Sequence, residues 1–368
     1  MSDLQVRLYP VTDFPRLAAR WRALEAQCEL SFFQSWTWVG CLAEERYTNP
    51  MLLVASRDNQ DVGLALFNRH TMGFGLQTLH LNETGNAHFD SMFVEHNGIL
   101  HLPQAEADLN LCLNKLLSIA PNTRLMLSGV DITILNAARA SGHVVRLSRT
   151  EPSPYVDYNS LPPGESGFHS ILSANTRYQL RRSDRLYSQR GSLQIRRATS
   201  VNEACTMLGA LAVLHQRTWT ARGHSGAFAN PKFIRFHRAL IARAWPSGEI
   251  DILEISAGHT VIGYLYNFCH RGKVLTYQSG FDYASATAHE KPGVTSHHLA
   301  IKHYQERGYS RYDFLAGEDR YKSSLSNAST SLYWIDLVPQ HSFRGIATRI
   351  WRKAINAHYA NIDTRFHD

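Results

Sequence analysis

Hydrophobic positions along the first 150 residues alternate between the two-residue period of strands and the 3.6-residue period of helices. Leu17, Trp21 and Leu24, for example, fall on one face of a helix that follows Asp13. The pattern predicts strands at 4–11, 51–56, 61–68, 76–81, 124–128 and 143–147, and helices at 13–27, 33–45, 104–119 and 132–140. This order predicts a mixed α/β unit.

The second half of the chain repeats this order after segment 151–167, which contains four prolines and two glycines. Such a composition interrupts regular structure and predicts a linker. Beyond it, the pattern predicts helices at 168–190, 202–221, 231–245 and 292–307, and strands at 192–198, 249–256, 261–269, 273–281 and 311–315. We therefore predict one domain at 1–150, a second at 168–340 and a basic amphipathic helix at 341–368.

Length and composition agree with two packed domains. The chain has 368 residues, 44 % of them hydrophobic and 19 % charged, which excludes a disordered protein. The N-terminal segment resembles no secretion signal, and no run of about 18 apolar residues predicts a membrane span. The five cysteines are scattered, without the spacing of a metal site. We expect a cytoplasmic, reduced protein that holds no metal.

The net charge of +7 is concentrated in two segments. Seven arginines lie between residues 177 and 197 against the single acid Asp184, and residues 341–359 contain four basic residues and no acid. These segments either bind an anionic partner or form solvated helix faces. In the last segment Phe343, Ile350 and Trp351 share one face, which either packs on the protein or lies on an anionic membrane at the inner side.

Four stretches carry a more specific resemblance. They are LSANTRYQLRRSDRLYSQRG (172–191), HQRTWTARGHSGAFANPKFIRFHRAL (215–240), KPGVTSHHLAIKHYQERGYSRYDFLAG (291–317) and RYKSSLS (320–326). Together they resemble the CelD/BcsL-like acyltransferases, a branch of the Gcn5-related N-acetyltransferase (GNAT) superfamily. The two-unit layout of that branch is similar to the Fem aminoacyltransferases. The likeness is looser in the first half, where FFQSWTWVGCL, VGLALFN and DSMFVEHNGIL carry it.

The resemblance implies an α/β fold of tandem GNAT-like units, each a mixed, mostly antiparallel, twisted sheet flanked by helices. It implies transfer of an acyl group from coenzyme A, or from an acyl carrier protein, to an amine or hydroxyl of a sugar, lipid or small molecule. Two alternatives stay open: Fem-like transfer from aminoacyl-tRNA, although we do not expect tRNA as a partner, and a non-catalytic acyl-CoA-binding protein. The first unit has no Tyr-Lys pair matching Tyr321 and Lys322, and is expected to be inert.

In this superfamily the donor lies between two parallel strands that splay apart. Here these are 273–281 and 311–315, so the backbone of Gln278, Ser279, Gly280 and Phe281 is expected to face the donor. The usual pyrophosphate loop is replaced by AHEKPGV (288–294), which departs from the pattern. The first turn of the following helix still presents unpaired N–H groups to a phosphate. Three residues of this loop and turn are the candidates: Lys291, Gly293 and Val294.

The stretch after the second splayed strand supplies candidate catalytic groups. Asp313 either orients or deprotonates the acceptor, or only caps the following turn or pairs with an arginine. Gly317 gives the chain room to turn towards the ligand. Tyr321 is expected to protonate the leaving thiolate, and Lys322 to hold phosphate or developing negative charge.

The acceptor is expected near the loop between the second unit's first two long helices. Trp219, Arg222 and Phe228 lie there, and an arginine beside aromatic rings suits an acidic or phosphate-bearing acceptor. Arg181 and Arg182 either meet phosphates or an anionic acceptor, or lie on a solvated helix face. His297 and His298 are consecutive on a helix and point about 100° apart, so they cannot share a metal. We take His298 as the candidate that binds substrate.

Overall fold

The computed structural model describes residues 3–72, 75–86, 89–90, 94–162 and 167–342. The chain divides into two compact units, one formed by Met1–Thr150 together with the chain from Leu332 onward, and one formed by Glu151–Ser331. The predicted basic helix at 341–368, with its apolar face, falls almost entirely outside the described residues. Among the described helices, none combines the length and the apolar character needed to cross a membrane.

The first unit contains a mixed sheet covered by helices. Its elements are β1 (Gln5–Pro10), α1 (Phe14–Glu25), α2 (Trp36–Arg46), β2 (Pro50–Arg57), β3 (Gln60–Thr71), β4 (Gln77–Leu81), β5 (Leu100–His101), α3 (Leu109–Ile119), β6 (Thr123–Val130) and α4 (Ile132–Ala140), followed by the start of β7 (Val144–Asp157). The strand order is β1-β2-β3-β4-β6, and β5 pairs with β3. Strands β4 and β6 are parallel, and the other pairs are antiparallel.

The last strand of this sheet comes from the other end of the chain. Strand β13 (Ala328–Val338) pairs antiparallel with β6, with Tyr333 opposite Val130 and Leu337 opposite Leu125. Ile335 and Leu337 belong to the same buried cluster as the apolar faces of α3 and α4. The core of the first unit is therefore completed by residues that follow the second unit in sequence.

The second unit repeats the arrangement. Its elements are α5 (Gly167–Ile171), α6 (Ala174–Ser188), β8 (Leu193–Arg197), α7 (Val201–Ala221), α8 (Pro231–Ala244), β9 (Ile250–Ala257), β10 (Thr260–His270), β11 (Lys273–Phe281), α9 (Pro292–Glu306), β12 (Arg311–Asp313) and α10 (Arg320–Leu325), with the end of β7. The strand order is β7-β12-β11-β10-β9-β8. Only the β11–β12 pair is parallel among these strands.

Helices cover both faces of the second sheet. Leu265 on β10 belongs to a buried cluster that includes Ile301 on α9. Its neighbour Tyr266 contacts His237 on α8, with ring centroids 5.4 Å apart. Because successive strand residues face opposite sides of a sheet, α8 and α9 lie on opposite faces.

The architecture confirms the predicted fold class. Differences concern the boundaries of three elements. The predicted helix 168–190 is two helices, because Ser173 accepts a hydrogen bond from the Thr176 N–H and caps α6. Strand β7 extends to Asp157, so the first seven residues of segment 151–167 are strand. Strand β12 ends at Asp313 rather than at Leu315.

Candidate active site

The parallel pair of the second unit opens after three residue pairs. Strands β11 and β12 pair from Lys273 opposite Arg311 to Leu275 opposite Asp313. Strand β11 then continues to Phe281 beside β10. The chain after β12 instead follows β7: the N–H of Phe314 donates to the Pro154 carbonyl and that of Gly317 to the Pro152 carbonyl, both at 3.0 Å. The two segments thus diverge as the resemblance implies, and we call the gap between residues 276–281 and 314–317 the donor slot.

The four β11 residues expected to face a donor lie on one side of this slot. Gln278 and Ser279 are partly exposed and pair with Tyr266 and Leu265 of β10. Gly280 and Phe281 are buried. A Cβ atom on Gly280 would lie 2.3 Å from the Leu211 carbonyl oxygen, so glycine allows α7 to pack directly on the strand.

Asp313 forms the turn that separates the two segments. Its buried Oδ1 accepts hydrogen bonds from the Leu315 N–H (2.8 Å) and from the Ser153 hydroxyl (3.0 Å). Its Oδ2 lies 3.9 Å from the guanidinium of Arg311. Leu315 has a φ of +60°, which the bond from its N–H stabilises. These are the contacts of the capping and pairing alternative, and they give Asp313 a positioning role. Its action as a base stays a prediction.

Lys322 lies against this turn instead of facing bulk solvent. Its side chain is buried, and Nζ donates to the carbonyl oxygens of Ala316 (2.6 Å) and Leu315 (3.4 Å). Gly317 has a φ of +131°, and a Cβ there would lie 3.1 Å from Nζ. The glycine therefore permits both the turn and the close approach of the ammonium group.

Tyr321 stands beside the lysine at the end of the slot. Its ring stacks on that of His297, with centroids 5.2 Å apart, and meets Phe314 edge-on at 6.1 Å. Burial, together with the charge of Asp319, raises the pKa of Tyr321 well above its usual value. The hydroxyl stays protonated at physiological pH and makes no hydrogen bond within the described ranges. A protonated hydroxyl can donate a hydrogen bond to a ligand in the slot. The transfer of its proton to a leaving thiolate stays a prediction.

The loop before α9 is held by hydrogen bonds to its own backbone, to helix α6 and to Arg190, two residues after that helix. The buried carboxylate of Glu290 accepts from the Arg190 guanidinium (2.5 Å) and from the Thr287 N–H (2.6 Å). The Lys291 N–H donates to the Ser183 hydroxyl at 2.8 Å. Gly293 lies against Phe281 and Tyr283, and Val294 packs on the core. This arrangement sets a carboxylate beside the helix end where the resemblance implies a pyrophosphate.

His298 and the two candidate arginines of α6 lie together. The Nδ1 of His298 is 3.1 Å from the Asp184 carboxylate, and its ring stacks on Phe168 with centroids 5.9 Å apart. Arg181 and Arg182 stand on the same helix as Asp184. His298 thus joins α9 to α6, whereas the neighbouring His297 contacts the residues around the donor slot.

The candidate acceptor residues surround the end of α7. Trp219 is 37 % exposed, and Phe228 contacts both His215 and Phe233 with centroids 5.0 Å apart. Burial raises the pKa of Tyr283 and of Tyr321, and in both cases the charge of Arg222 opposes the rise. Arg222 therefore lies within electrostatic reach of Tyr321. Its guanidinium makes no ion pair or hydrogen bond in the part of the chain that the structure describes.

Two buried histidines were not assigned from the sequence. The Nδ1 of His297 lies 2.9 Å from the Tyr312 hydroxyl, while its buried Nε2 has no partner among the described residues. Burial lowers its pKa to about 3. His215, on α7, is 5 % exposed, and burial lowers its pKa to about 4. The signal for His215 was its spacing, because it shares a helix face with Trp219 and Arg222 at i, i+4 and i+7.

These buried histidines predict a stability that falls with acid. Burial also lowers the pKa of His80, to about 4. A group with a lowered folded pKa adds stability that is complete above its unfolded value near 6.5 and is lost as the pH falls through the folded value. We expect His297→Phe to remove one such contribution. Between pH 6.5 and about 3, wild-type protein should lose stability as the pH falls and the variant should not lose this part. The unfolding free energy of His297→Phe should therefore rise relative to wild type by about 1.4 kcal/mol for each pH unit of acidification.

Urea denaturation at several pH values measures this difference. Above pH 7 the difference between His297→Phe and wild type should be constant. A difference that stays the same from pH 7 to pH 3.5 would show that His297 is not held neutral by burial.

The first unit has the corresponding parallel pair, but its gap is filled. Strands β4 and β6 pair from Gln77 opposite Thr123 to His80 opposite Met126. Just beyond, the amide of Asn97 donates to the Leu81 carbonyl (3.0 Å) and to the Ser128 carbonyl (3.1 Å). The amide of Asn82 donates to the Asn97 side-chain oxygen at 2.8 Å. A side chain thus occupies the place that the donor slot leaves open in the second unit.

Among the described residues, no group of three or more His, Cys, Asp and Glu side chains is arranged to hold a metal ion.

Comparison with known proteins identifies the class of the second unit. Residues 174–323 match the family model described as an acetyltransferase (GNAT) domain, which covers the donor slot, Tyr321 and Lys322. This part of the chain is therefore similar to GNAT-type acetyltransferase domains. No curated protein matches the chain significantly.

Solved structures extend the likeness to about nine-tenths of the chain. The structure of FemX has 10 % sequence identity and a TM-score of 0.59, covering 90 % of this chain and 97 % of its own. The C-terminal domain of a putative lysylphosphatidylglycerol synthetase from Agrobacterium fabrum has 10 % identity and a TM-score of 0.53, covering 93 % and 97 %. L-PGS from Bacillus licheniformis has 10 % identity and a TM-score of 0.51, covering 91 % and 96 %. At this identity the likeness concerns the fold.

Proposed function

We propose that the second unit transfers an acyl group from a coenzyme A thioester to an amine, as implied by the likeness to CelD/BcsL-like acyltransferases. The observation that carries this proposal is the opening of the β11–β12 pair after three residues, beside Tyr321 and Lys322. An extended donor arm fits the open side of β11, because that side offers strand backbone groups to hydrogen bonds.

The reaction needs an amine held near the thioester carbonyl, stabilisation of the oxyanion and a proton for the leaving thiolate. Lys322 supplies a positive charge that its bond to the Ala316 carbonyl holds in place. Tyr321 supplies the proton, which its hydroxyl carries at physiological pH. The amine attacks directly, without a covalent enzyme intermediate.

The acceptor is proposed to be an amine that carries an anionic group. Arg222 is exposed, has no ion-pair partner in the described ranges, and lies within electrostatic reach of Tyr321. Trp219 and Phe228 offer flat apolar surfaces beside it. A phosphorylated amino sugar or a phospholipid-like amine combines these features, because guanidinium groups bind phosphate with two parallel hydrogen bonds.

Acetyl-CoA should stabilise the protein in a thermal-shift measurement. Binding to the folded state alone adds about 2.7 kcal/mol when the ligand is present at 100 times its dissociation constant. A parallel measurement with long-chain acyl-CoA shows which acyl length the site prefers. ATP at the same concentration is the control for binding of the adenosine phosphates alone. Equal shifts with ATP and with every thioester would contradict a thioester site.

Transfer from aminoacyl-tRNA is the second candidate. It is favoured by the loop before α9, where Glu290 and Arg190 pair at the position expected for pyrophosphate. The basic face of α6 is compatible with a nucleic acid. Indifference to every thioester, combined with tRNA binding that weakens steeply with salt, would favour this candidate.

A further inference from the structure

The C-terminal half of α7 brings one helix face to the donor slot. His215, Trp219 and Arg222 lie on this face at i, i+4 and i+7. At Gly280 the helix contacts β11 so closely that a Cβ would lie 2.3 Å from the Leu211 carbonyl oxygen and 3.1 Å from the His215 backbone nitrogen. His215 therefore lies at the end of β11 that lines the slot, on the same helix face as the proposed acceptor residues.

The hydrogen bonds around His215 define which ring nitrogen carries the proton. The Nε2 of Gln216 donates to the Ser225 carbonyl at 2.7 Å, which sets the orientation of that amide. The remaining amide oxygen lies 3.3 Å from the Nδ1 of His215 and can only accept. Nδ1 therefore carries the hydrogen, and Nε2 carries the lone pair.

The lone pair of Nε2 is available. Within the described ranges this atom makes no hydrogen bond, and the ring is held between Phe228 at 5.0 Å and Trp219 at 5.7 Å. Burial lowers the pKa of His215 to about 4, opposed by the hydrogen bond to Gln216, so the imidazole is neutral at physiological pH. A neutral, oriented imidazole is the usual form of a general base.

We propose that His215 Nε2 accepts the proton of the attacking amine, a role that rests on the proposed acyl transfer. The amine nitrogen forms a bond to the thioester carbonyl carbon, and the carbon–sulfur bond breaks. The amine N–H proton passes to His215 Nε2, and the Tyr321 hydroxyl proton passes to the leaving thiolate. Water then carries the proton from the imidazolium to the Tyr321 phenolate. The products are an amide and a free thiol.

Two arguments favour His215 over Asp313 of β12 as the general base. The Asp313 Oδ1 already accepts two hydrogen bonds, which hold the turn that opens the slot. His215 instead offers a free lone pair on the helix face that carries Arg222. The amine nitrogen becomes more acidic as its bond to carbon forms, so a weak base in a fixed position suffices.

The test compares His215→Gln with a matched variant, His224→Gln. His224 is exposed, and its ring also contacts Trp219, with centroids 5.7 Å apart. Both proteins receive acetyl-CoA with glucosamine, glucosamine 6-phosphate, ethanolamine, phosphoethanolamine or octylamine, and products are followed by mass spectrometry. We expect His215→Gln to lower kcat by at least about 100-fold while keeping the thermal shift with acetyl-CoA, and His224→Gln to stay near wild type.

The pH profile separates a base from a structural role. Protonation of the amine acceptor lowers the rate of both proteins in acid, and protonation of His215 should add a further fall in wild-type kcat below about pH 5. This additional fall should be absent in His215→Gln. Full activity in the variant, or an equal loss at every pH, would overturn the proposal and leave the acyl-transfer function standing. Absence of acetyl transfer by the wild-type protein to any of these amines would contradict both the role of His215 and the proposed acyl transfer.

A measurement on wild-type protein covers the case in which His215→Gln does not fold. Nitrogen NMR of isotope-labelled wild-type protein reports the tautomer of each imidazole, and through-bond correlations to the assigned backbone identify the His215 signal. A neutral ring with hydrogen on Nδ1 is expected at pH 7. Hydrogen on Nε2, or a charged ring, would overturn the proposal.

Discussion

Replacement of Lys322 by alanine should lower acyl transfer from acetyl-CoA by at least about 100-fold. The ammonium group is buried at the slot, where its bond to the Ala316 carbonyl fixes its position. A charge fixed in advance stabilises the oxyanion without reorganisation, which is why its removal is costly. The substitution also leaves the carbonyl oxygens of Ala316 and Leu315 without this donor, which should lower the unfolding free energy by about 1–3 kcal/mol.

Lys302→Ala is the matched control, because Lys302 lies on α9 with a side chain 62 % exposed. It should change neither turnover nor stability beyond about 0.5 kcal/mol. Turnover is measured as release of free thiol, and thermal shift with acetyl-CoA verifies that each variant is folded and binds donor. Unchanged turnover in Lys322→Ala would remove this residue from the mechanism.

Substitution of Gly280 by alanine should destabilise the second unit by about 1–3 kcal/mol. The added methyl group would lie 2.3 Å from the Leu211 carbonyl oxygen, which is backbone and cannot rotate away. Helix α7 must then move from β11, and His215 moves with it. Transfer activity should fall together with stability, although Gly280 has no side chain to contribute to the chemistry.

The same helix supplies the control for this substitution. Gly209 on α7 has open space where a Cβ would be placed. Gly209→Ala should therefore stabilise the protein by up to about 1 kcal/mol, the difference in helix propensity between the two residues. Urea denaturation measures both variants. Changes of the same sign would show that the close contact at Gly280 does not limit packing.

The sequence predicted those parts of the fold that depend on local period and on helix ends. Helix α9 begins at Pro292 and is followed by Gly308, as the positions of proline and glycine indicated. Strands β9, β10 and β11 follow their apolar patterns within one or two residues. Both kinds of signal are short-range, so neighbouring residues suffice to determine them.

The end of β12 could not be predicted in this way. It depends on Asp313 bonding to Ser153, a residue 160 positions earlier, and on the chain following the Pro152 and Pro154 carbonyls. The apolar pattern continues through Leu315 and therefore predicts a strand that extends to this residue. Only the tertiary contact decides where the two segments part.

The candidate site was predicted unevenly for the same reason. Tyr321 and Lys322 were found through the resemblance of the stretch that contains them. The choice between His297 and His298 required the rotation of α9 about its axis, which the sequence does not specify when both faces of the helix are packed. The proposed role of His215 depends on its contact with Gly280, which places it near the slot, and on its hydrogen bond with Gln216, which orients its ring. Gly280 is distant in sequence, whereas Gln216 is the next residue.

The return of β13 to the first sheet has a consequence for synthesis. Arg124 on β6 bonds to Asp336 on β13, 212 positions later in the chain. A ribosome releases the whole second unit before it releases that strand, so the later unit can complete its fold first. Until then β6 presents an uncovered strand edge, on which a nascent chain is prone to wrong pairing.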